Sequence, residues 1–229
     1  MELAVSNELF NNIDSMMMFI LVKNRMISNI MQKKGDAWIA DVSLDDGEYI
    51  YKLMINEGLK INDINAYDYK KWRADEVWSV LKIQDGQVVK GNHTDISVSG
   101  YSMSPGIKCG QYLSNRCFSP KVDERYSISI DLEGLSHIHS VTAVWYREDG
   151  SIYHMGEKDI ECPDGEYTYK ANVVFWMDVP KEITNNNNWT VEIYVDGKKM
   201  ITDYFRSGGI NNVKFNSVIK NYTLFNRWN

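Results

Sequence analysis

The residues best suited to chemistry in this chain are few and scattered. His137-Ile138-His139 is the one metal-like spelling, because side chains alternate along a strand and both imidazoles would share a face. Two ligands do not complete a site, so the fold would have to bring His154, Asp159 or Cys162 alongside; histidines on the surface beside a turn are the simpler reading. Asp45-Asp46 and Glu148-Asp149 have the makings of a calcium site or of paired-carboxylate catalysis, yet each pair precedes a glycine, where turn chemistry accounts for it. The sequence has no Gly-x-Gly-x-x-Gly, no phosphate loop ending in Gly-Lys-Ser/Thr, no His-Glu-x-x-His and no Gly-x-Ser-x-Gly. A triad built from distant residues leaves no such local mark, but two small sandwiches joined by a linker leave little room for a deep cleft. The expectation is a non-catalytic protein with no cofactor and no metal.

The elements that would have to carry any site are strands. The phrase Asp-Gly-Glu-Tyr-x-Tyr-Lys occurs at 46–52 and again at 164–170, far enough apart for two domains. In the first copy Leu44 precedes it, which gives Leu-x-x-Gly-x-Tyr, the spelling of a tyrosine corner in immunoglobulin-like sandwiches; a chance match of two hairpins is the alternative. Asp-Gly pairs at Gly47, Gly86, Gly150, Gly165 and Gly197 separate alternating segments, a strong hairpin signal. Strands are expected at 37–44, 49–56, 77–83, 126–132, 140–147, 151–155, 167–179, 189–195 and 199–205, together with a buried strand over 16–22. Short helical turns are expected within 9–17 or 63–74. The fold class is therefore all-β, with two immunoglobulin-like sandwiches at 1–90 and 91–207 and a short C-terminal tail at 208–229. A linker at 90–94 divides them, and 100–122 reads as a long loop or irregular edge.

Composition narrows the partners. A net charge of −6 and a pI near 5.3 repel phosphate backbones, so nucleic acid is not expected. No apolar run approaches the roughly 20 residues of a membrane helix, and the acidic start Met-Glu-Leu-Ala-Val-Ser-Asn-Glu lacks the character of a secretory signal. With only Cys109, Cys117 and Cys162, reduced thiols and a cytoplasmic location are the expectation. Asn92, Asn188 and Asn221 open Asn-x-Thr triplets, which that location leaves unused.

Residues 38–83 carry a longer pattern. Trp38 opens an alternating strand; Leu44-Asp-Asp-Gly47-Glu-Tyr49-Ile-Tyr51-Lys52 follows, then Asn62-Asp63, then Val77-Trp78-Ser-Val-Leu-Lys-Ile83. This resembles the family 48 carbohydrate-binding modules, which include the glycogen-binding domain of the AMP-activated kinase β subunit. The resemblance implies an α-glucan surface on which aromatic rings stack on glucose and a lysine, here Lys52, reaches a hydroxyl. The family's two stacking tryptophans are replaced by Arg25 and Leu59, and its strand-opening asparagine by Trp78. Tyr67, Tyr69, Trp72 and Trp78 could form a displaced platform; packing of Trp78 in a core with the others over a loop is the alternative. Residues 126–205, ending Trp189-Thr-Val-Glu-Ile-Tyr-Val-Asp-Gly-Lys, look like the immunoglobulin-like accessory domains of many bacterial proteins, which carry over no functional residue. Trp145, Trp176 and Trp189 are expected in the core or at its margin.

Two functions follow from this reading. The first is a non-catalytic α-glucan (glycogen or starch) binder, or an adaptor derived from one, with Lys52, Trp72, Trp78, Tyr67 and Tyr69 in contact. The second is a structural or scaffolding protein that has lost sugar binding and meets a protein partner through the apolar tail residues Tyr222, Leu224, Phe225 and Trp228.

Overall fold

A computed structural model describes residues 2–6, 13–56, 58–72, 76–91, 95–105, 116–121, 123–163, 169–181 and 187–208. The fold is all-β, of sandwich type, with no helix among the described residues. Ten strands lie before residue 90: β1 (Glu2–Ser6), β2 (Met16–Val22), β3 (Arg25–Ile30), β4 (Gln32–Lys34), β5 (Ala37–Asp41), β6 (Gly47–Ile55), β7 (Leu59–Ile61), β8 (Asp68–Lys71), β9 (Val77–Gln84) and β10 (Gln87–Val89). They form two sheets, β1-β5-β4 and β10-β9-β6-β2-β3, with β7 added beside β6 and β8 beside β9. Eight more follow: β11 (Ser97–Ser104), β12 (Cys117–Phe118), β13 (Arg125–Leu135), β14 (Ile138–Tyr146), β15 (Ile152–Glu161), β16 (Tyr169–Asp178), β17 (Asn188–Val195) and β18 (Lys198–Ser207). Their sheets are β11-β13-β16 and β12-β18-β17-β14-β15. Described pairings are antiparallel except that of β12 with β18.

Turn chemistry sets the hairpins. Asp85-Gly86 and Asp196-Gly197 both take positive φ at their two central positions (54° and 71°; 50° and 80°), the type I′ geometry whose twist matches flanking strands. Lys23-Asn24 does the same at 48° and 64° and joins β2 to β3 without a glycine. The Asp46 carboxylate holds the Asp85-Gly86 turn, accepting from the Asp85 and Gly86 N–H groups at 2.8 and 2.9 Å. Two residues beyond the following Gly47, the Tyr49 hydroxyl donates to the Asp45 carbonyl at 3.0 Å, the bond a tyrosine corner makes.

Of the segments where short helical turns are expected, residues 9–12 lie outside the described residues, Met16 and Met17 begin β2 and 68–71 form β8, while the Ala66 N–H closes a turn on the Asp63 carbonyl at 3.1 Å; pairing with neighbouring strands sets the conformation of 16–17 and 68–71. The segment 100–122, expected as a long loop or irregular edge, contains most of β11 and all of β12, each an edge strand of its sheet paired to β13 or β18. Residues 106–115, Cys109 among them, lie outside the described residues. So do most of the second Asp-Gly-Glu-Tyr phrase and the tail after Gly208.

Two hydrophobic clusters form the core. In the first, Met16, Met18 and Ile20 of β2 and Tyr51, Leu53 and Ile55 of β6 meet Trp38 and Ala40 of β5. In the second, Trp145, Trp189, Tyr126, Phe118 and Phe205 cluster, with Tyr126 and Phe205 stacked at 4.6 Å. Trp145 and Trp189 are thus core residues, whereas Trp176 is 45% exposed, held between Arg125 and Lys158 at 5.6 and 5.2 Å from its ring centre. Asp46→Ala should remove both bonds to the Asp85-Gly86 turn and destabilise the protein by about 1–2 kcal/mol. Urea unfolding of the variant against wild type measures this.

Candidate functional site

The pattern along β14 marks where the two sandwiches meet. Val141, Ala143 and Trp145 point into the second core, yet the alternate residues Ser140, Thr142 and Val144 are also buried. A strand buried on both faces must be covered twice, and the second cover is the first sandwich. Val144 and Tyr194 belong to the first core, with Ile138, Tyr146, Ile152 and Met155 packed against its edge. β8 and β9 lie over β14. The approach is close: a Cβ on Gly197 would stand 2.0 Å from the Asn62 carbonyl oxygen.

Polar groups cross this seam in one connected set. Lys52, 2% exposed, donates from Nζ to both carboxylate oxygens of Glu157 at 2.6 and 2.7 Å and to the Val77 carbonyl at 2.9 Å. Glu157 also accepts from Ser140 Oγ at 2.7 Å, and the Ser140 N–H donates to Asp196 Oδ1 at 2.8 Å. From the first sandwich the Tyr69 hydroxyl lies 2.9 Å from the Asp63 carbonyl and 3.3 Å from that of Asp196. Tyr51 donates to Asp63 Oδ2 at 2.8 Å. Nearer solvent, Lys71 bridges Asp159 and Glu161 at 2.6 and 2.8 Å, and both carboxylates hold its ammonium well above the ordinary lysine range.

The seam decides where the expected sugar-contact residues stand. Lys52 and Trp78 are neighbours on the outer face of β6 and β9, since Tyr51 pairs with Ser79, and Trp72 joins them, its ring edge-on to Trp78 at 4.8 Å and 72°. The three are therefore brought together, but not as a flat exposed platform. Lys52 is enclosed by Glu157 instead of reaching outward, and Trp78 is 7% exposed, its Nε1 donating to Glu76 at 3.0 Å. Tyr69 is buried in the seam. Tyr67 stands apart, with Lys82 Nζ 4.5 Å from its ring centre. Arg25 and Leu59, the replacements of the family's stacking rings, fall on exposed β3 and buried β7 respectively.

His137 and His139 do not form the same-face pair that a continuous strand would give. His137 occupies a turn at φ 63°, while His139 is buried beside the seam. Its Nε2 accepts the Ser136 N–H at 2.9 Å, so the hydrogen-bond network assigns the ring proton to Nδ1, which donates to Asp196 Oδ2 at 2.6 Å. With Nε2 already engaged, this imidazole is a structural link rather than a base or a metal ligand. Among the described residues no cluster of three His, Cys, Asp or Glu side chains could hold a metal ion.

Contrary to the sequence expectation of little room, the seam opens at one end into a cleft of about 590 Å³ lined by Asn56, Tyr146, Arg147, Ile152, Glu192 and Tyr194 among others. Several of its polar groups are already engaged. Glu192 accepts from the Tyr194 hydroxyl and from Lys199 at 3.0 Å, Asn56 Oδ1 accepts the Asp14 and Ser15 N–H groups, and Arg147 lies 4.9 Å from the Tyr153 ring centre. Sequence reasoning missed Glu157, Asp196 and Ser140. The only available signal was that β14 is apolar or small at nearly every position.

No family model matches the chain, and no curated protein matches it. Among solved structures, a Bacteroides uniformis beta-glucuronidase 2 covalently bound to cyclophellitol-6-carboxylate aziridine is 13% identical over 90% of this chain and 25% of its own, at a TM-score of 0.26. A putative beta-galactosidase from Bacteroides fragilis is 10% identical over 91% of this chain and 32% of its own, at 0.27. The chain thus spans between a quarter and a third of the length of these structures, and a likeness at that score assigns it no activity.

Removing one partner of the enclosed pair strands the other charge. Glu157→Ala should destabilise by about 3 kcal/mol in urea unfolding, and Lys52→Met with Glu157→Leu should recover most of that loss. Burial chiefly, and then the Asp63 charge for Tyr51 and the Asp196 charge for Tyr69, push both phenols far above their ordinary range. The folded chain keeps these protons where the unfolded chain releases them. Stability is therefore complete below about pH 10 and falls above it, by up to about 1.4 kcal/mol per pH unit for each such tyrosine. Denaturant titrations at rising pH should show this decline, and Tyr69→Phe should lessen its slope.

Proposed function

We propose that this chain is a non-catalytic structural module, a pair of locked sandwiches that works by contact with another macromolecule rather than by holding α-glucan on its first domain. One observation supports this above the rest: Lys52, the residue that would reach a sugar hydroxyl, is enclosed by Glu157 of the second sandwich. Exposing it would break a charge pair whose members are stable in the interior only together. Trp78 is buried beside it, and stacking on a pyranose needs an accessible ring face. The titratable groups that do converge, His139 with Asp196 and Tyr51 with Asp63, are bound to one another or to backbone, an arrangement that orders a seam better than it turns over a substrate.

Affinity electrophoresis through gels containing glycogen or amylose, with maltoheptaose as a soluble competitor, tests this reading. The protein should migrate as it does in a plain gel. Retardation relieved by maltoheptaose and lost on Trp72→Ala would overturn it and restore the glucan-binding function.

A further inference from the structure

Of the five large apolar side chains that are exposed among the described residues, three lie on one six-residue strand: Met26 at 40%, Ile27 at 43% and Ile30 at 78% on β3. β3 is the last strand of its sheet, so among the described residues one backbone edge carries no ladder, with β5 the other strand that approaches β3. Which groups face outward follows from the β2–β3 register. The Met31 N–H donates to the Met16 carbonyl, and the pairs Met18 with Asn29, Ile20 with Ile27 and Val22 with Arg25 share that parity, so Asn29, Ile27 and Arg25 bond to β2. The N–H and C=O groups of Met26, Ser28 and Ile30 then point away from the sheet. The same three residues pair with Leu21, Phe19 and Met17, giving an apolar strip with a notch at the small Ser28.

We propose that the β3 edge receives an extended segment of a partner protein, apolar at alternate positions and acidic at both ends, which adds a strand to the sheet. Strand addition supplies backbone hydrogen bonds along the open edge, and the strip takes alternate side chains of the incoming chain. Charge selects the flanks. Lys23 and Arg25 stand at one end, and Lys33 and Lys34 follow on β4 at the other, all exposed; along the sequence no carboxylate lies between Asp14 and Asp36, and Asp41 at the end of β5 is the acid that the neighbouring strand contributes. A second copy is disfavoured on the same ground, because antiparallel pairing of two β3 strands sets four cations against four. Cations at a strand's ends discourage self-association while leaving its centre open to an acidic guest. This surface deepens the contact function above and rests on it only in being non-catalytic. Retention on glucan gels would sink that reading without bearing on β3.

The test uses full-length protein and a fluorescent nine-residue peptide, five alternating valines and threonines flanked at each end by two glutamates, with a lysine-flanked peptide as control. Anisotropy should give a Kd on the order of micromolar for the acidic peptide, weakening as salt rises, and at least about tenfold weaker binding of the control. Ser28→Pro removes an outward N–H and no bond to β2; Ile30→Lys alters an exposed side chain. Both should keep the wild-type Tm and bind the acidic peptide at least about tenfold more weakly, a change of about 1.4 kcal/mol. Should Ser28→Pro fail to fold, Ile30→Lys decides alone. The proposal is overturned if wild type does not bind the acidic peptide, if the folded variants bind it as firmly as wild type, or if wild type sediments as a dimer that either variant returns to monomer.

Discussion

Burial of β14 on both faces is the constraint on which the molecule depends. Its inward residues build the second core. Its outward ones, Ser140, Thr142 and Val144, are small enough for the first sandwich to settle on them, and that contact brings Lys52 against Glu157. Either charge left there alone would cost several kcal/mol, so the pair favours a closed seam. Gly197, with φ 80° and a carbonyl where its side chain would be, is the geometric counterpart of that closure.

An ion pair is a demanding way to join two domains. Well-packed apolar residues of the same volume would hold as firmly. What Lys52 adds is direction, its ammonium being held by two carboxylate oxygens and one carbonyl. Ser140, Asp196 and His139 extend the same orientation into the second sandwich, while Tyr69 carries it into the first. Two sandwiches fixed in this way present their outer strands, β3 among them, at a defined position relative to one another. For a contact module that rigidity lowers the ordering cost of binding.

The strands were legible because alternation and Asp-Gly turns report on local geometry. Ala37, Tyr49, Val77 and Trp189 all fall in or at the start of strands where the pattern places them. The Lys23-Asn24 turn was not legible, since it takes the type I′ shape without glycine, and β3, with one charge and a mixed surface, did not stand out. The seam was invisible for a different reason. Ser140 and Thr142 have the composition of an ordinary solvated strand face, and Lys52 matched a ligand-contact position in a resemblance that describes one sandwich in isolation. Burial by a second domain is a long-range property with no signature in either partner's local sequence.

Differential scanning calorimetry of the intact protein tests most directly whether the two sandwiches form one unit. A closed seam predicts a single endotherm whose calorimetric and van't Hoff enthalpies agree. Two resolved transitions, or a calorimetric enthalpy well above the van't Hoff value, would mean that the sandwiches unfold independently and would contradict the account.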